Sequence, residues 1–288
     1  MPGTTELQTP ETHKAGSGFR HTLSRLRSYF IYDPLVWLYT IVLGAVSLLS
    51  SFFDRDGSLQ HRVARFWARI ILRTIGVQVQ VIGMEKVDPA KPHIYAVNHL
   101  SAVDVPVLYT YLPSQFRILA KKDLFRYPFL GWHLRRSGQI AVDQQNVRSS
   151  VRSMGRAVEA LKSSMSVMIF PEGGRSEDGQ LQEFMNGAFY LGIKAQVDVI
   201  PMALVGTFEI LPMNTWHIMP RPVYLLVGDP ISTAGMTLRD LETLTQQAHH
   251  AIAELYYSRT SLPDLREKPK DLAADPRQSG AGGTGDAD

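Results

Sequence analysis

The stretch IYAVNHLSAVDVPVLYTYL (residues 94–112) contains a short apolar run, a polar turn and a second apolar segment. Ile94–Val97 is typical of a buried strand, and Val105–Leu112 is predicted to be a helix. The polar residues from Asn98 to Asp104 are therefore expected on a strand-to-helix turn. In α/β proteins such turns lie at the carboxyl edge of the sheet, where ligands bind.

The same alternation of strand and helix continues on both sides of this stretch. Six further strands are predicted at Val77–Ile82, Arg117–Ala120, Gln139–Val142, Val167–Phe170, Val199–Val205 and Val223–Val227. Apolar residues at spacings of three and four predict a helix from Val147 to Leu161, and Leu238–Tyr257 is predicted to be a final helix. This order favours an α/β fold with a mixed, largely parallel sheet flanked by helices.

Composition excludes several classes of protein. In 288 residues, 44% are hydrophobic and 20% are charged, which excludes a wholly disordered or fibrous chain. A formal net charge of +3 does not indicate nucleic acid as a partner. The chain contains no cysteine and no nucleotide-binding or His-Glu-x-x-His motif, so we expect no metal site and no cofactor.

The N-terminal quarter differs from the rest of the chain. Residues 1–28 are predicted to be a disordered basic arm, and no secretory signal is expected because the first apolar run begins only at Pro34. Residues 34–53 form an uncharged run of twenty residues, and a helix of that length reaches about 30 Å, the thickness of a bilayer's hydrocarbon core. A buried core helix is the alternative.

The next segment, residues 61–76, has one basic and one apolar helical face. The basic face carries Arg62, Arg65, Arg69 and Arg73. Such a helix fits the headgroup plane of a membrane, and an ordinary amphipathic helix packed on the sheet is the alternative. Residues 29–75 are therefore predicted to be a membrane-associated helical hairpin, 76–262 the α/β domain, and 263–288 a disordered tail.

The first polar turn contains a candidate catalytic pair. His99 can act as a general base, oriented by the carboxylate of Asp104. Because five helical steps separate two side chains by roughly 140°, His99 must precede the first turn and fold back towards Asp104. The alternative is structural: Ser101-x-x-Asp104 also matches a capping box, which would explain Ser101 and Asp104 without catalysis.

A second polar loop follows the predicted strand Val167–Phe170. In Pro171–Ser176, Gly173 and Gly174 let the backbone approach a ligand, and Arg175 offers a planar fork suited to a phosphate. A surface turn with a solvated arginine is the alternative.

Together the two loops carry a family resemblance. Asn-His-x-x-x-x-Asp at residues 98–104, followed by Phe-Pro-Glu-Gly-x-Arg-Ser at residues 170–176, resembles the glycerolipid acyltransferase family. Shorter segments at residues 120–124, 128–132, 138–143 and 199–203 are similar to the family's other motifs. The resemblance runs from about His61 to Asp229.

The resemblance implies transfer of a fatty acyl group from acyl-CoA or acyl-carrier protein to the hydroxyl of lysophosphatidic acid. The product would be phosphatidic acid, made for phospholipid biosynthesis at the cell membrane, with the catalytic domain on the cytoplasmic side. His99 and Asp104 would be catalytic. The residues implied in substrate binding are Asn98, Ser101, Lys121, Lys122, Gly138, Glu172, Gly173, Gly174, Arg175 and Ser176.

Two departures from the family pattern keep alternatives open. The family usually has arginine where this chain has Gln144, and more often threonine where it has Gly174. A cluster of seven lysines and arginines against two aspartates between Arg117 and Arg148 offers a substitute for the missing arginine. Another lysolipid acceptor, such as a lyso-ornithine lipid or a lysophospholipid, is therefore an alternative, as is a catalytically silent lipid-binding protein.

Overall fold

A computed structural model describes residues 22–54, 56–143, 147–262 and 264. Its sheet contains seven strands: β1 (Val79–Ile82), β2 (Ile94–Val97), β3 (Phe116–Lys121), β4 (Ile140–Val142), β5 (Ser166–Ile169), β6 (Val199–Val205) and β7 (Val223–Val227). Their order is β1-β7-β6-β2-β5-β3-β4, and the β6–β7 pair is antiparallel whereas the other pairs are parallel. The predicted strands and the largely parallel sheet are confirmed.

Helices cover both faces of the sheet. They are α1 (Thr22–Ser50), α2 (Ser58–Thr74), α3 (Asp104–Tyr111), α4 (Leu130–Arg136), α5 (Val147–Lys162), α6 (Asn186–Ala195), α7 (Thr207–Ile210) and α8 (Leu241–Tyr257). Short 3-10 turns occupy Met84–Lys86, Lys122–Arg126 and Leu238–Asp240. Within α1, residues Ser28–Tyr32 form a π-helical turn.

The buried strands divide the core into two layers. Along β2, Tyr95 and Val97 pack with α2 and α3, while Ile94 and Ala96 pack with α5, α6 and α8 on the opposite face. All four residues are fully buried, which explains why this strand reads as a continuous apolar run instead of an alternating one. Burying each large side chain contributes about 1.5–3 kcal/mol, so the centre of the sheet is a rigid support for the loops at its edge.

Helix α2 packs between α1 and the core. Its residues Ala68 and Leu72 are buried in the core, and the Trp67 indole donates to Thr40 Oγ1 of α1 over 3.0 Å. These contacts favour the alternative of a packed amphipathic helix for the inner face of α2, and the membrane-associated hairpin stays a prediction. The 3.6-residue period is the same in both cases, so periodicity does not distinguish them.

Arg65 also departs from the basic face that the sequence predicts. Its Nε donates to the carbonyl of Tyr109 over 3.0 Å, and a second guanidinium nitrogen donates to the carbonyl of Leu112. These are carbonyls at the end of α3, which lack partners within the helix and favour a cation. Arg65 thus fixes the helix that begins at Asp104.

Helix α1 begins before the predicted boundary between arm and hairpin. Residues 22–28 are helical, and the buried Ser28 connects them to a distant loop. Its Oγ donates to the carbonyl of Trp216 over 3.2 Å and accepts from the Ile218 amide over 2.8 Å. In the part of the chain that the structure describes, α1 is the helix long and apolar enough to cross a membrane. The rest of the predicted arm, Gln144 and almost all of the predicted tail lie outside the described residues.

Candidate active site

His99 lies at the carboxyl end of β2 and folds back onto α3. Its Nδ1 is 2.8 Å from Oδ2 of Asp104, the first residue of α3. The same oxygen accepts the backbone amides of Leu100 at 2.7 Å and Ser101 at 2.9 Å. Asp104 therefore binds the turn and the imidazole at once. The predicted capping box is not formed: Val103 is the N-cap of α3, and the Asp104 amide donates to the backbone carbonyl of Ser101, not to its hydroxyl.

The imidazole of His99 is held on several sides and open on one. Its ring stacks on Phe170, with the ring centroids 3.8 Å apart and an interplanar angle of 14°. The Asp104 side chain is fully buried, whereas 18% of the His99 side chain is exposed. Because Nδ1 faces a carboxylate, it carries the proton in the neutral ring and leaves the lone pair on Nε2. Within the described ranges no group hydrogen-bonds to Nε2.

Glu172 joins the two loops that the sequence singled out. Its Oε1 accepts the His99 amide over 2.7 Å, and its Oε2 accepts the Gln182 amide over 3.1 Å. The amide of Ser176 in turn donates to the His99 carbonyl over 2.9 Å. Since β2 and β5 are neighbours in the sheet, these bonds fix the loop after β5 against the loop after β2.

Burial sets the protonation of Glu172. It raises the pKa of this carboxyl from 4.5 to about 8, and this effect outweighs the two backbone N–H donors, which act in the opposite direction. Both oxygens are already hydrogen-bonded within the protein, so Glu172 is placed to hold the loops together.

The loop after β5 carries the remaining predicted residues of this motif. Gly173 has a φ of +76°, which glycine adopts without strain, and its amide donates to the Phe170 carbonyl over 3.0 Å. Gly174 is exposed, Arg175 is half-buried, and Ser176 is buried with its Oγ donating to Asp178 over 3.0 Å. Because the Ser176 amide donates to the His99 carbonyl, the preceding residue, Arg175, lies beside the histidine loop.

Asn98 and Ser101 make structural hydrogen bonds. The fully buried Asn98 amide bonds to both backbone groups of Leu204, at 3.0 Å and 2.7 Å, and so continues the pairing of β2 with β6. The Ser101 hydroxyl donates to the Leu211 carbonyl over 2.8 Å and accepts the Val103 amide over 3.3 Å. Both side chains hold the histidine loop in place.

Lys121 and Lys122 lie at the carboxyl end of β3, the sheet edge that also carries His99. Both are exposed, and each lies near an aspartate: Lys121 is 3.6 Å from Asp123, and Lys122 is 2.9 Å from Asp143. Gly138, in contrast, precedes the amino end of β4 and lies at the opposite edge of the sheet. The structure does not bring Gly138 together with the other predicted residues.

Some residues at this site had no prediction from the sequence. The Phe170 ring that stacks on His99 could have been expected, because this residue ends a strand directly beside the second loop. Gln182 and Leu211 contribute only backbone groups, and no sequence pattern marks them. Among the described residues, no three His, Cys, Asp or Glu side chains form a group that could hold a metal ion.

Comparison with known proteins assigns the region that carries both loops. Residues 78–205 match the model of the family described as Acyltransferase. This region belongs to the acyltransferase family. The acyltransferase region contains β1 to β6 of the sheet, together with His99, Asp104 and the loop after β5.

Several curated relatives share this acyltransferase region. A chloroplastic 1-acyl-sn-glycerol-3-phosphate acyltransferase of Arabidopsis thaliana is 32% identical over 196 residues, which are 67% of this chain and 53% of the relative. A 1-acyl-sn-glycerol-3-phosphate acyltransferase of Saccharomyces cerevisiae is 26% identical over 219 residues, 74% of this chain and 72% of that protein. The chain thus spans about half the length of the Arabidopsis relative.

A solved structure shares the fold. The crystal structure of the 1-acyl-sn-glycerophosphate acyltransferase PlsC from Thermotoga maritima superposes with a TM-score of 0.68 at 23% identity. The match covers 85% of this chain and 99% of that structure. The acyltransferase fold therefore extends beyond residues 78–205 to include most of the described chain.

Proposed function

We propose that this protein transfers a fatty acyl group from acyl-CoA or acyl-carrier protein to the free hydroxyl of lysophosphatidic acid, giving phosphatidic acid for phospholipid biosynthesis. The observation that carries the proposal is the His99–Asp104 pair, with Nε2 of His99 open beside the loop after β5. The names of the Arabidopsis and yeast relatives support the choice of reaction and acceptor.

In the proposed mechanism His99 is the general base. Its Nε2 takes the proton of the acceptor hydroxyl as that oxygen attacks the thioester carbonyl, and a carbon–oxygen bond forms. The buried Asp104 carboxylate stabilises the resulting imidazolium. When the tetrahedral intermediate collapses, the carbon–sulfur bond breaks and the imidazolium returns the proton to the leaving thiolate.

The developing negative charge needs amide donors that are not already bonded, and in the histidine loop most amides are engaged, with Ala102 the exception among the described residues. The amides of Leu100 and Ser101 already donate to Asp104, and the Val103 amide donates to the Ser101 hydroxyl. We assign this role to the loop after β5, where the amides of Gly174 and Arg175 have no partner in the described part of the chain. The Arg175 guanidinium, together with Lys121 and Lys122 on the same sheet edge, would draw in the phosphate of the acceptor.

A covalent acyl-serine intermediate does not fit the contacts of Ser101. Its hydroxyl proton is directed to the Leu211 carbonyl over 2.8 Å, and the side chain is fully buried. The attacking oxygen is therefore that of the acceptor, which the exposed side of His99 can reach.

We further propose that α1 lies along one leaflet of the cell membrane, with the α/β domain on the cytoplasmic side. Helix α1 contacts the domain at Ser28 and at Ser47, and between them it contacts α2 at Thr40. The two outer contacts are about 29 Å apart along a helix that rises 1.5 Å per residue. A helix held against the domain over that length favours lateral immersion over a perpendicular crossing.

The test is an acceptor screen with purified protein in detergent. Lysophosphatidic acid, a lysophospholipid and a lyso-ornithine lipid are each supplied with acyl-CoA or acyl-carrier protein, and thiol release and lipid product are measured. We expect phosphatidic acid, a loss of about 10²- to 10⁴-fold for His99→Ala, and most of the activity retained by Ser101→Ala. A trapped acyl-serine, or activity that survives His99→Ala, would refute the mechanism. A preference for another lysolipid would instead replace the acceptor.

A further inference from the structure

The segment from Tyr127 to Trp132, called here the aromatic turn, exposes large apolar side chains. The exposed fractions are 59% for Tyr127, 69% for Phe129, 44% for Leu130 and 53% for Trp132. Contiguous apolar surfaces of this kind mark interaction sites, because isolated exposed residues are common but clusters are not.

The backbone of the aromatic turn is strained at Phe129. Phe129 has φ +59° and ψ −59°, and the Leu130 amide donates to the Pro128 carbonyl over 2.6 Å, which defines a γ-turn with positive φ. Such a conformation costs a bulky residue about 1–3 kcal/mol and persists only where the surroundings impose it. Here a Cβ on Gly131 would lie 2.2 Å from the Phe125 carbonyl oxygen, so the turn is tightly seated.

The exposed rings are ordered against each other. The rings of Phe129 and Trp132 pack edge to face, with centroids 5.3 Å apart, although more than half of each side chain is exposed. The apolar surface is therefore already formed in the free protein.

The aromatic turn lies beside the end of α1. His133, next to the aromatic turn, accepts or donates a hydrogen bond with Ser47 of α1 over 2.9 Å. The Arg136 guanidinium lies 4.8 Å from the ring centroid of Phe52, and Phe52 and Phe53 are themselves exposed just after α1 ends. The aromatic turn and the end of α1 thus lie side by side.

The charges around the aromatic turn are mostly positive. Five basic side chains and one acidic side chain, that of Asp123, occur between residues 121 and 136, and Asp143 pairs with Lys122 from outside this segment. The basic residues are Lys121, Lys122, Arg126, Arg135 and Arg136. Aromatic rings beside lysines and arginines suit the headgroup region of an anionic bilayer. A second copy of this chain would present the same positive charge and be repelled.

We propose that the aromatic turn is a second membrane anchor, which inserts into the headgroup region of an anionic bilayer beside α1. The proposal rests on the proposed position of α1 at the membrane. Because Lys121 ends β3 at the sheet edge that carries His99, two attachment points would fix the direction in which that edge faces the lipid. A single helix would leave the domain free to rotate about it.

The test is flotation of the full chain with vesicles of phosphatidylglycerol and phosphatidylcholine. Phe129→Gly removes the ring and suits the positive φ, so we expect about tenfold weaker partitioning with no fall in melting temperature. Trp132→Ser should weaken partitioning in the same direction. Leu238→Ala is the control, because it shortens a similarly exposed side chain that begins the segment leading into α8, in the opposite helical layer.

Unchanged vesicle binding by both variants would overturn the proposal. If vesicle binding is unchanged and only transfer from acyl-carrier protein is lost, the aromatic turn would instead bind that acidic carrier. If vesicle binding is unchanged and light scattering shows a change in mass, the aromatic turn would instead contact a second copy of the chain. Transfer in detergent micelles reports the proposed activity separately: His99→Ala should abolish transfer and leave flotation intact. Failure of the unaltered chain to float would overturn both membrane assignments without touching the acyl transfer.

Discussion

Asp104→Asn separates the charge of this side chain from its shape. In the structure one oxygen, Oδ2, meets all three donors: His99 Nδ1 and the amides of Leu100 and Ser101. The other oxygen, Oδ1, is buried with no partner among the described residues. An asparagine can therefore keep its oxygen on the three donors and place its amide nitrogen where Oδ1 now lies. The histidine tautomer and the turn would survive, and the negative charge would be lost.

The size of the effect follows from the geometry. An imidazolium and a carboxylate about 4 Å apart attract by roughly 4 kcal/mol at an effective dielectric constant of about 20. The difference between a charge-assisted and a neutral hydrogen bond gives a lower figure, about 1–2 kcal/mol. We therefore expect Asp104→Asn to raise the barrier by about 1–4 kcal/mol, which lowers kcat about 5- to 1000-fold.

The assay is steady-state thiol release with lysophosphatidic acid, combined with thermal unfolding. Asp104→Asn should leave the KM for the acceptor and the melting temperature close to those of the parent protein. Asp104→Ala is the contrast: it strands the buried amides of Leu100 and Ser101, at about 1–3 kcal/mol each, so it should lower stability as well as activity. An Asp104→Asn protein that keeps kcat within a few-fold would show that the carboxylate charge plays no part in the reaction.

Three further outcomes can be measured by unfolding and by the same assay. In Glu172→Gln one oxygen becomes an NH₂ group facing the amide of His99 or Gln182, so we expect a loss of about 1–3 kcal/mol in stability and a fall in kcat. Burial raises the pKa of Glu172 from 4.5 to about 8, so the stabilisation by its protonated form is complete below pH 4.5 and is lost as pH rises through 8. The melting temperature of the parent protein should therefore decline over that pH range, and that of Glu172→Gln should decline less. Gly174→Thr should change stability by less than about 0.5 kcal/mol and keep kcat, since a Cβ there meets nothing within 4 Å; a large loss would mean that the loop closes around this position. Ser28→Ala should cost about 1–3 kcal/mol in urea unfolding, because it strands the two backbone groups that this hydroxyl joins, and no change would show that α1 is only loosely attached.

The sheet could be predicted because its signals are local. Central strands such as β2 and β6 are covered on both faces, so their apolar runs coincide with the observed ends. The role of α2 could not be predicted in the same way. One amphipathic pattern serves equally for a membrane surface and for a protein core, and only the contacts of Trp67 and Arg65 decide between them.

The candidate site was predictable in its centre and less so around it. The spacing of His99 and Asp104 on a strand-to-helix turn required the histidine to fold back, and it does. The position of Glu172 was different: its hydrogen bonds to the His99 loop depend on β2 lying next to β5, and strand order is a property of the whole sheet. Gly138 was predicted as a site residue from motif similarity alone. The direction of β4 places it at the sheet edge opposite to His99.

The double-sided packing of α2 has a practical consequence for preparing the protein. Tyr32, Val36 and Tyr39 of α1 pack against the same core cluster that α2 joins, and Trp67 hydrogen-bonds across to Thr40. Removing α1 to obtain a water-soluble form would expose the apolar surface that it shares with α2. It would also leave the Trp67 indole without its hydrogen-bond partner. Replacing only outward side chains such as Phe30 and Ile41, which are already exposed, would make the surface of α1 less apolar. The packing of α1 on α2 and on the core would be kept.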